Sequence, residues 1–297
     1  MKSIRLALTT IFSFCILLGS AQYNLDFGIK LGGTNYLGEI GGKEKTRRNF
    51  IMDMKISQTS WVFGGYARYK FSKSIAANVS VNYGRIQGDD NKSTNLGRST
   101  RNLRFRNNIL DITARGEYYF FEANDVGGKG RYWLDLKAFA HLGVTGFRHN
   151  PKGSFDGFSW TPLQPLQTEG VKYSKWGLGI PGGLGVYFTY KRKHRIGWDV
   201  TWTTTFTDYL DDISTVFAQG PNDGSIGNQS GLISTDENLL GSFDIGEKRG
   251  DPTHNDTYMF TTLSYGYLIR GSNSFYRQSY GWLSGKKSKS RKVRAKF

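Results

Sequence analysis

The chain has 297 residues, a formal net charge of +16, 38% hydrophobic residues and 15% aromatics. Its mean hydropathy of −0.47 excludes a multi-helix membrane protein. It does not exclude a transmembrane β-barrel, whose strands alternate apolar and polar side chains and average to a low value. Glycine is frequent, 38 residues, but no Gly-X-Y period runs through the chain, which removes a collagen-like fold, and the aromatic content argues against global disorder.

Residues 1–21 read as a secretory signal peptide. Lys2 and Arg5 form the positive region, Leu6 to Leu18 the apolar region, and Gly19-Ser20-Ala21 a small-residue cleavage site. The run is short for a membrane anchor. The single cysteine, Cys15, lies inside this segment without a lipobox before it, so the mature chain is expected to carry no disulfide, thiol nucleophile or cysteine metal site.

From residue 22 the dominant pattern has period two. Eight segments carry it. Their apolar faces include, in chain order, Phe27 and Leu31, Phe63 and Tyr69, Val79 and Val81, Ile112 and Tyr118, Leu136 and Leu142, Leu178 and Leu184, Trp198 and Val200, and Leu263 and Tyr265. Most runs cover ten residues or more, which suits a tilted strand crossing a bilayer. Long links at 39–58, 86–106, 148–174 and 208–255 alternate with short ones at 72–74, 122–130 and 191–195. This spacing predicts an all-β fold: an eight-stranded antiparallel transmembrane β-barrel over residues 22–271, with long extracellular loops and short periplasmic turns. A secreted β-sandwich or a lipocalin-like barrel is the alternative, with the apolar face turned inward. Pro181 within the sixth segment predicts a bulge.

The opposite faces of the segments carry Asp26, Lys30, Arg68, Lys70, Asp111, Arg115, Glu117, Asp135, Lys137 and Asp199. Acids and bases balance, as they must if the charges pair inside a closed lumen. Gly177, Gly179, Gly183 and Gly185 share that face and leave room for long partners such as Arg115. Eight strands enclose an interior that side chains fill, so ion pairs are expected there in place of a pore. Tyr23, Phe71, Phe120, Tyr132, Tyr190, Trp198 and Tyr267 are expected in a periplasmic aromatic girdle, and Trp61, Tyr83, Trp176 and Phe206 in an outer one.

Beyond residue 271 the composition changes. The basic tail 272–297 carries Lys286, Lys287, Lys289, Arg291, Lys292, Arg294 and Lys296 and no acid after residue 271. It reads either as a solvated tail or as a docking element for an acidic partner or anionic outer-membrane lipid. Lys191, Arg192, Lys193 and Arg195 give one short turn a dense positive charge that suits an acidic partner surface. Nucleic acid is not expected as a partner of an exported chain.

Candidate chemistry is sparse. The four histidines lack metal-ligand spacing, so neither a bound metal nor another cofactor is expected. His149, His254 and nearby carboxylates could lie at the outer rim, but no triad assembles. Asp208, Asp211 and Asp212 form an acidic cluster after the seventh segment. It could hold calcium, but reads more simply as a rim pairing with Arg98, Arg101, Arg104 and Arg106.

Several segments resemble the PorG-like family of outer-membrane barrels in Bacteroidota. They are GGTNYLGEIGG (32–42), NYGRIQGDD (82–90), GRSTRNLRFRNNILDI (97–112), FRHNPKG (147–153), LQPLQTEG (163–170), YSKWGLGIPGGLGVYF (173–188) and TFTDYLDDIST (205–215). Glu39 stands where an aspartate is expected. The resemblance implies a non-enzymatic outer-membrane component of the type IX protein secretion and gliding machinery. Such a component anchors a periplasmic ring of a PorK-like lipoprotein and PorN-like subunits. The residues alone leave open a barrel that binds an extracellular ligand through its long loops, an outer-membrane lipid-modifying enzyme, and a porin.

Overall fold

A computed structural model describes residues 23–40, 56–93, 95–124, 126, 134–191, 193–221, 223–230 and 243–270. The strands are β1 (Tyr23–Leu37), β2 (Ser60–Lys70), β3 (Ile75–Asp89), β4 (Arg104–Ala123), β5 (Leu134–Arg148), the short β6 (Pro151–Gly153) and β7 (Thr161–Pro162), β8 (Trp176–Tyr190), β9 (His194–Thr205) and β10 (Thr257–Arg270). The sheet order is β3-β2-β1-β10-β9-β8-β5-β4-β6-β7, and a further β3–β4 pairing joins the ends of the eight long strands. Each long strand therefore pairs with its neighbours in sequence, and β1 meets β10. The result is a closed eight-stranded antiparallel barrel, as the periodicity predicts.

The direction of the apolar face separates the membrane barrel from its soluble alternatives. Leu142, Val144, Leu178 and Leu263 are each about two-thirds exposed, and Phe27, Ile29, Ile112 and Leu184 also face outward. Along β4 the alternation persists for most of its length, with Asp111, Thr113, Arg115 and Glu117 buried between exposed Ile112, Ala114 and Tyr118. A soluble protein does not present so wide an apolar belt to water; a barrel in lipid must. Of the predicted girdle residues, Phe71, Phe120, Trp198 and Tyr267 face outward, as do Trp61, Trp176 and Phe206. The side chains of Tyr23 and Tyr132 lie outside the described residues, as do residues 1–22 and the basic tail.

Three expectations are corrected. The link predicted at 86–106 is strand at both ends: Ile86↔Asn107, Gln87↔Arg106, Gly88↔Phe105 and Asp89↔Arg104 continue the β3–β4 ladder, which shortens the connection to 90–103. Alternation had weakened there because Ile86, Phe105 and Ile109 are apolar residues on the inner face. Second, Pro181 does not mark a bulge. The β5–β8 pairs Leu142↔Gly182 and Thr145↔Gly179 keep one register on either side of it. Proline has no N–H to donate, and the ladder is interrupted there without gaining a residue. The bulge lies instead in β4, where the register shifts between Tyr119 and Phe121. Phe120 and Phe121 consequently both face outward, a pair that strict alternation forbids.

Third, the glycine row of β8 makes room for aromatic side chains, not for Arg115. A Cβ at Gly177 or Gly185 would overlap the rings of Phe147 and Phe139, and one at Gly183 would strike the carbonyl oxygen of Val200 and the His141 ring. Backbone cannot yield as a flexible side chain does. Gly183→Val is therefore expected to lower the temperature at which the folded barrel loses its heat-modifiable electrophoretic mobility, by an amount equivalent to about 2 kcal/mol of overpacking. The outward-facing Gly182→Ala is expected to leave that temperature nearly unchanged.

Candidate functional site

The lumen is filled by alternating charges from five strands. Asp26 on β1 lies 2.6 Å from Arg195 on β9 and 3.4 Å from Arg68 on β2. Arg68 continues to Glu117 on β4 at 2.7 Å, and Arg115 bridges Glu117 at 3.5 Å and Asp199 at 2.6 Å. Lys30 and the His141 ring both approach Asp199, at 3.9 and 3.7 Å. Neutral donors complete the shells: Asn78 Nδ2 and Tyr119 OH donate to Glu117 at 2.8 and 2.7 Å, and Thr262 donates to Asp199 at 2.5 Å. Buried charges are tolerable only when paired and hydrogen-bonded in this way.

The predicted lumen set needs four adjustments. Asp111 accepts hydrogen bonds from Asn82, Thr145 and Tyr258, at 2.9, 2.7 and 2.7 Å, and is not ion-paired among the described residues. Lys70 lies over the Tyr119 ring, 4.4 Å from its centroid. Lys137 pairs with Glu122 at 2.8 Å, while Asp135 is half-buried near the end of β5. Arg195, expected on a partner-binding turn, is buried in the lumen on Asp26. Its parity with Asp199 across the outward Ile196 and Trp198 is the sequence signal that assigns it there. Of the remaining turn residues, Lys191 and Lys193 are exposed and Arg192 lies outside the described residues.

Aromatic layers enclose the charges. Tyr119, Phe139 and Tyr187 pack together toward the periplasmic ends of their strands, with the Arg68 guanidinium 5.3 Å from the Phe139 centroid. The interior cavity lined by Lys30, Asn82, Asp111, Arg115 and Asp199 measures about 10 Å³, room for one water at most. Among the described residues the interior is filled by paired side chains and offers no conduit.

The outer mouth is closed by the connections themselves. Ile40, Leu103, Leu210 and Ile213, from three of them, join Tyr36, Ile86, Phe105, Ile109, Phe147 and Tyr258 in one buried cluster. Two arginines stitch this cap. Arg101 Nε bonds Asp90 at 2.8 Å, while its terminal nitrogens donate to Arg249 O at 2.9 Å and Glu39 O at 3.0 Å. Arg249 pairs with Glu169 at 3.0 Å and Asp212 at 3.6 Å. Glu169 also accepts from the backbone N–H groups of Ser214 and Thr215, at 2.9 Å each.

The acidic cluster does not pair with the predicted arginines. Arg101 is held by Asp90, Arg104 by Asp89 at 3.3 Å, and Arg106 stacks over Trp160 at 4.3 Å; Arg98 lies in the short helix Leu96–Arg101. Asp212 instead receives Tyr173 OH, Thr168 Oγ1 and Arg249. Asp208 belongs to a different group: its carboxylate and those of Glu39 and Asp256 have oxygens within 4.8 Å of one another. Three such oxygens could share a proton or a cation. Asp256 also accepts from Tyr36 OH at 2.6 Å and Leu210 N at 2.9 Å, and Asp211 accepts from the N–H groups of Ile40 and Ile213. Sequence reasoning gave Glu39 and Glu169 only a place in family-like motifs and did not single out Arg249 or Asp256; all four sit in connections without periodicity. The two rim histidines are apart in character. His149 is buried, bonded to Ser174 O at 3.0 Å and held neutral by burial with its pKa lowered to about 4; His254 is exposed beside Asp251 at 3.0 Å.

These features define a membrane-spanning barrel of the outer-membrane type with a sealed interior and a braced outer cap. The chain belongs to the family described as "Domain of unknown function (DUF6089)", whose model matches residues 5–219. No curated protein matches it. Among solved structures it is similar to the N-terminal β-barrel domain of Pseudomonas aeruginosa OprF (9% identity, 84% of this chain and 98% of that one, TM-score 0.34). It is similar also to OprG of the same organism (13%, 84% and 99%, 0.37) and to a major outer membrane protein of Thermus thermophilus (10%, 82% and 99%, 0.32). At these scores the barrel assignment stands on the strand ladder itself.

Two outcomes follow from the cap. Burial, then the neighbouring charge of Glu39, pushes the Asp211 carboxyl up to about 8, and burial with the charges of Asp211, Glu39 and Asp208 holds the Asp256 carboxyl well above the usual carboxylate range. Arg101 opposes this at Asp211. A carboxyl raised in the folded state stabilises fully below its unfolded value near about 4 and loses that contribution as pH rises through the folded value. Protease cleavage within 208–255 is expected to accelerate between about pH 4 and pH 8, and Glu39→Gln to flatten that profile. Arg101→Ala leaves Asp90 buried without its partner, a loss of about 3–5 kcal/mol. Limited proteolysis is expected to cut its outer loops faster while the barrel band stays heat-modifiable.

Proposed function

We propose that this protein is a non-enzymatic outer-membrane scaffold of the type IX protein secretion and gliding machinery, exported by a cleavable signal peptide. Its role is to anchor a periplasmic lipoprotein ring to the membrane. The motif resemblance supplies the class of machine. The observation that carries the reading is the combination of a sealed lumen with a cationic turn facing the periplasm. A barrel filled by side chains has no transport path of its own, which leaves its exposed surfaces to do the work. Lys191 and Lys193 stand on the β8–β9 turn, and Lys191 adopts φ 48°, where glycine fits without cost. A lysine kept in that conformation favours a use for its charge, and an acidic partner surface suits it.

The test is crosslinking of outer-membrane complexes followed by mass spectrometry, with the full chain, a chain lacking 272–297, and Lys191→Glu/Lys193→Glu. Crosslinks from the turn or tail to periplasmic ring subunits are expected. Their loss on deletion assigns the contact to the tail, and their loss on charge reversal assigns it to the turn. A protein that emerges alone, or linked only through its outer loops, overturns the reading.

A second reading, an outer-surface binding protein, is favoured by Phe158. It is 89% exposed at the tip of a turn fixed by Asp156, which accepts from Phe158 N and Ser159 N at 2.8 Å each. That reading expects crosslinks from Phe158 and its neighbours to extracellular partners that survive tail deletion.

A further inference from the structure

The outer wall of the barrel carries a group of cations that the cap and the lumen do not use. Arg85 on β3, Arg106 on β4, Arg148 on β5 and Lys152 on β6 all sit at outward positions near the extracellular ends of their strands. Arg85 pairs across the ladder with Asn108, Arg106 with Lys152, and Arg148 with Leu110. The three β4 positions involved, 106, 108 and 110, span four residues, about 13 Å of strand, with neighbouring strands about 4.8 Å apart.

Two arrangements here are unfavourable by themselves. Arg106 and Lys152 lie directly opposite one another, and like charges so placed repel. Arg85 is close enough to Arg106 for its charge to bear on it. The acids on this side are committed elsewhere: Asp89 binds Arg104, and Asp156 is taken up by Ser154 and the backbone of its own turn. Among the described residues no carboxylate forms an ion pair with Arg85, Arg106, Arg148 or Lys152.

The guanidinium planes are held by aromatics. Arg85 lies 5.5 Å from the Trp61 centroid and donates Nε to Asn108 at 3.0 Å; Arg106 lies 4.3 Å from the Trp160 centroid. Stacking uses the flat face of a guanidinium and leaves edge N–H groups to bind an anion in bidentate fashion. Leu110 and Trp176 pair with Arg148 across the ladders, Trp61 stacks on Arg85, and Phe63 and Tyr83 stand next toward the membrane; Trp61, Phe63 and Tyr83 are in mutual contact at about 5.6 Å between centroids. Tryptophan and tyrosine mark the headgroup level. The cations therefore stand at the height of the lipid phosphates, on the wall that faces lipid.

We propose that Arg85, Arg106 and Lys152, with Arg148 at the margin, form a binding site for the phosphate groups of an outer-leaflet glycolipid whose acyl chains lie along the girdle and the apolar belt below it. The bound phosphate offsets the repulsion between Arg106 and Lys152. The site rests on the membrane placement with the long loops outside, and not on the secretion role.

The experiment uses the full-length protein in detergent micelles with lipid A as the probe, and native mass spectrometry to count retained lipid and measure its affinity. Arg85→Gln/Arg106→Gln/Lys152→Gln is expected to weaken lipid A binding by about tenfold or more, the equivalent of losing at least one charge-assisted contact. Arg106→Gln alone is expected to weaken it severalfold, which preserves the test if the triple variant folds poorly. Lys73→Gln, removing an exposed charge at the opposite end, is expected to change nothing. Dephosphorylated lipid A is expected to bind as weakly to the wild type as lipid A does to the triple variant. Inorganic phosphate in excess is expected not to displace the lipid. Retention of affinity by the folded variants, equal binding of dephosphorylated lipid, or displacement by inorganic phosphate would each overturn the proposal. Failure of the wild type to show heat-modifiable mobility would instead overturn the membrane placement beneath it.

Discussion

The constraint on which the structure depends is that a closed barrel of eight strands turns half of every strand toward an interior too narrow for a column of water. Charges placed there must satisfy one another. Asp26, Arg68, Glu117, Arg115 and Asp199 do so as one chain of contacts running across the lumen from β1 to β9. Removing Asp26 would leave Arg195 buried without its carboxylate, a penalty larger than the net worth of the pair, whereas Arg68, Glu117 and Asp199 each keep a second ionic partner. The same network fixes register. A one-residue slip of any strand would carry its charges into lipid and its leucines into the ion network.

The outer cap extends this logic beyond the membrane. Its apolar cluster would close the mouth by itself, but hydrophobic contact alone is not directional. Arg101 and Arg249 supply direction, because each guanidinium donates to groups on different connections. The long connections are consequently folded structure over much of their described length, with Val216 and Lys248 forming a small antiparallel bridge. The crowding of Glu39, Asp208, Asp211 and Asp256 opposes this compaction and makes the cap sensitive to pH.

The barrel was legible in the sequence because lipid on one side and a packed lumen on the other enforce alternation more strictly than a soluble sheet does. Asp199 and Arg115 could be assigned to the interior from parity alone. Arg195 obeyed the same parity but was masked by its neighbours Lys191, Arg192 and Lys193, which drew it into a turn. The extension of β3 and β4 was hidden because the alternation inverts there: Ile86, Phe105 and Ile109 are apolar and inward, while Arg85, Arg104 and Arg106 are charged and outward. The cap residues Glu39, Glu169, Arg249 and Asp256 had no periodic signal at all; their partners lie up to 220 positions away in the chain. The segments 32–42, 163–170 and 205–215 reach onto these same connections, where Glu39, Glu169 and Asp212 take part in the cap.

That distance bears on how the molecule assembles. Tyr36, at the end of the first strand, donates to Asp256, immediately before the last, and Thr257 Oγ1 reaches back to Leu37 O. Neither bond can exist until the two ends of the chain have met and the ring of strands has shut. Contacts so far apart in sequence carry the largest loop-closure cost and form late. The cap thus acts as a latch that engages only after circular closure. A half-assembled barrel would display the uncovered mouth, with its acidic cluster and unfastened arginines, as a signature by which the cell's folding factors could tell it from the finished one.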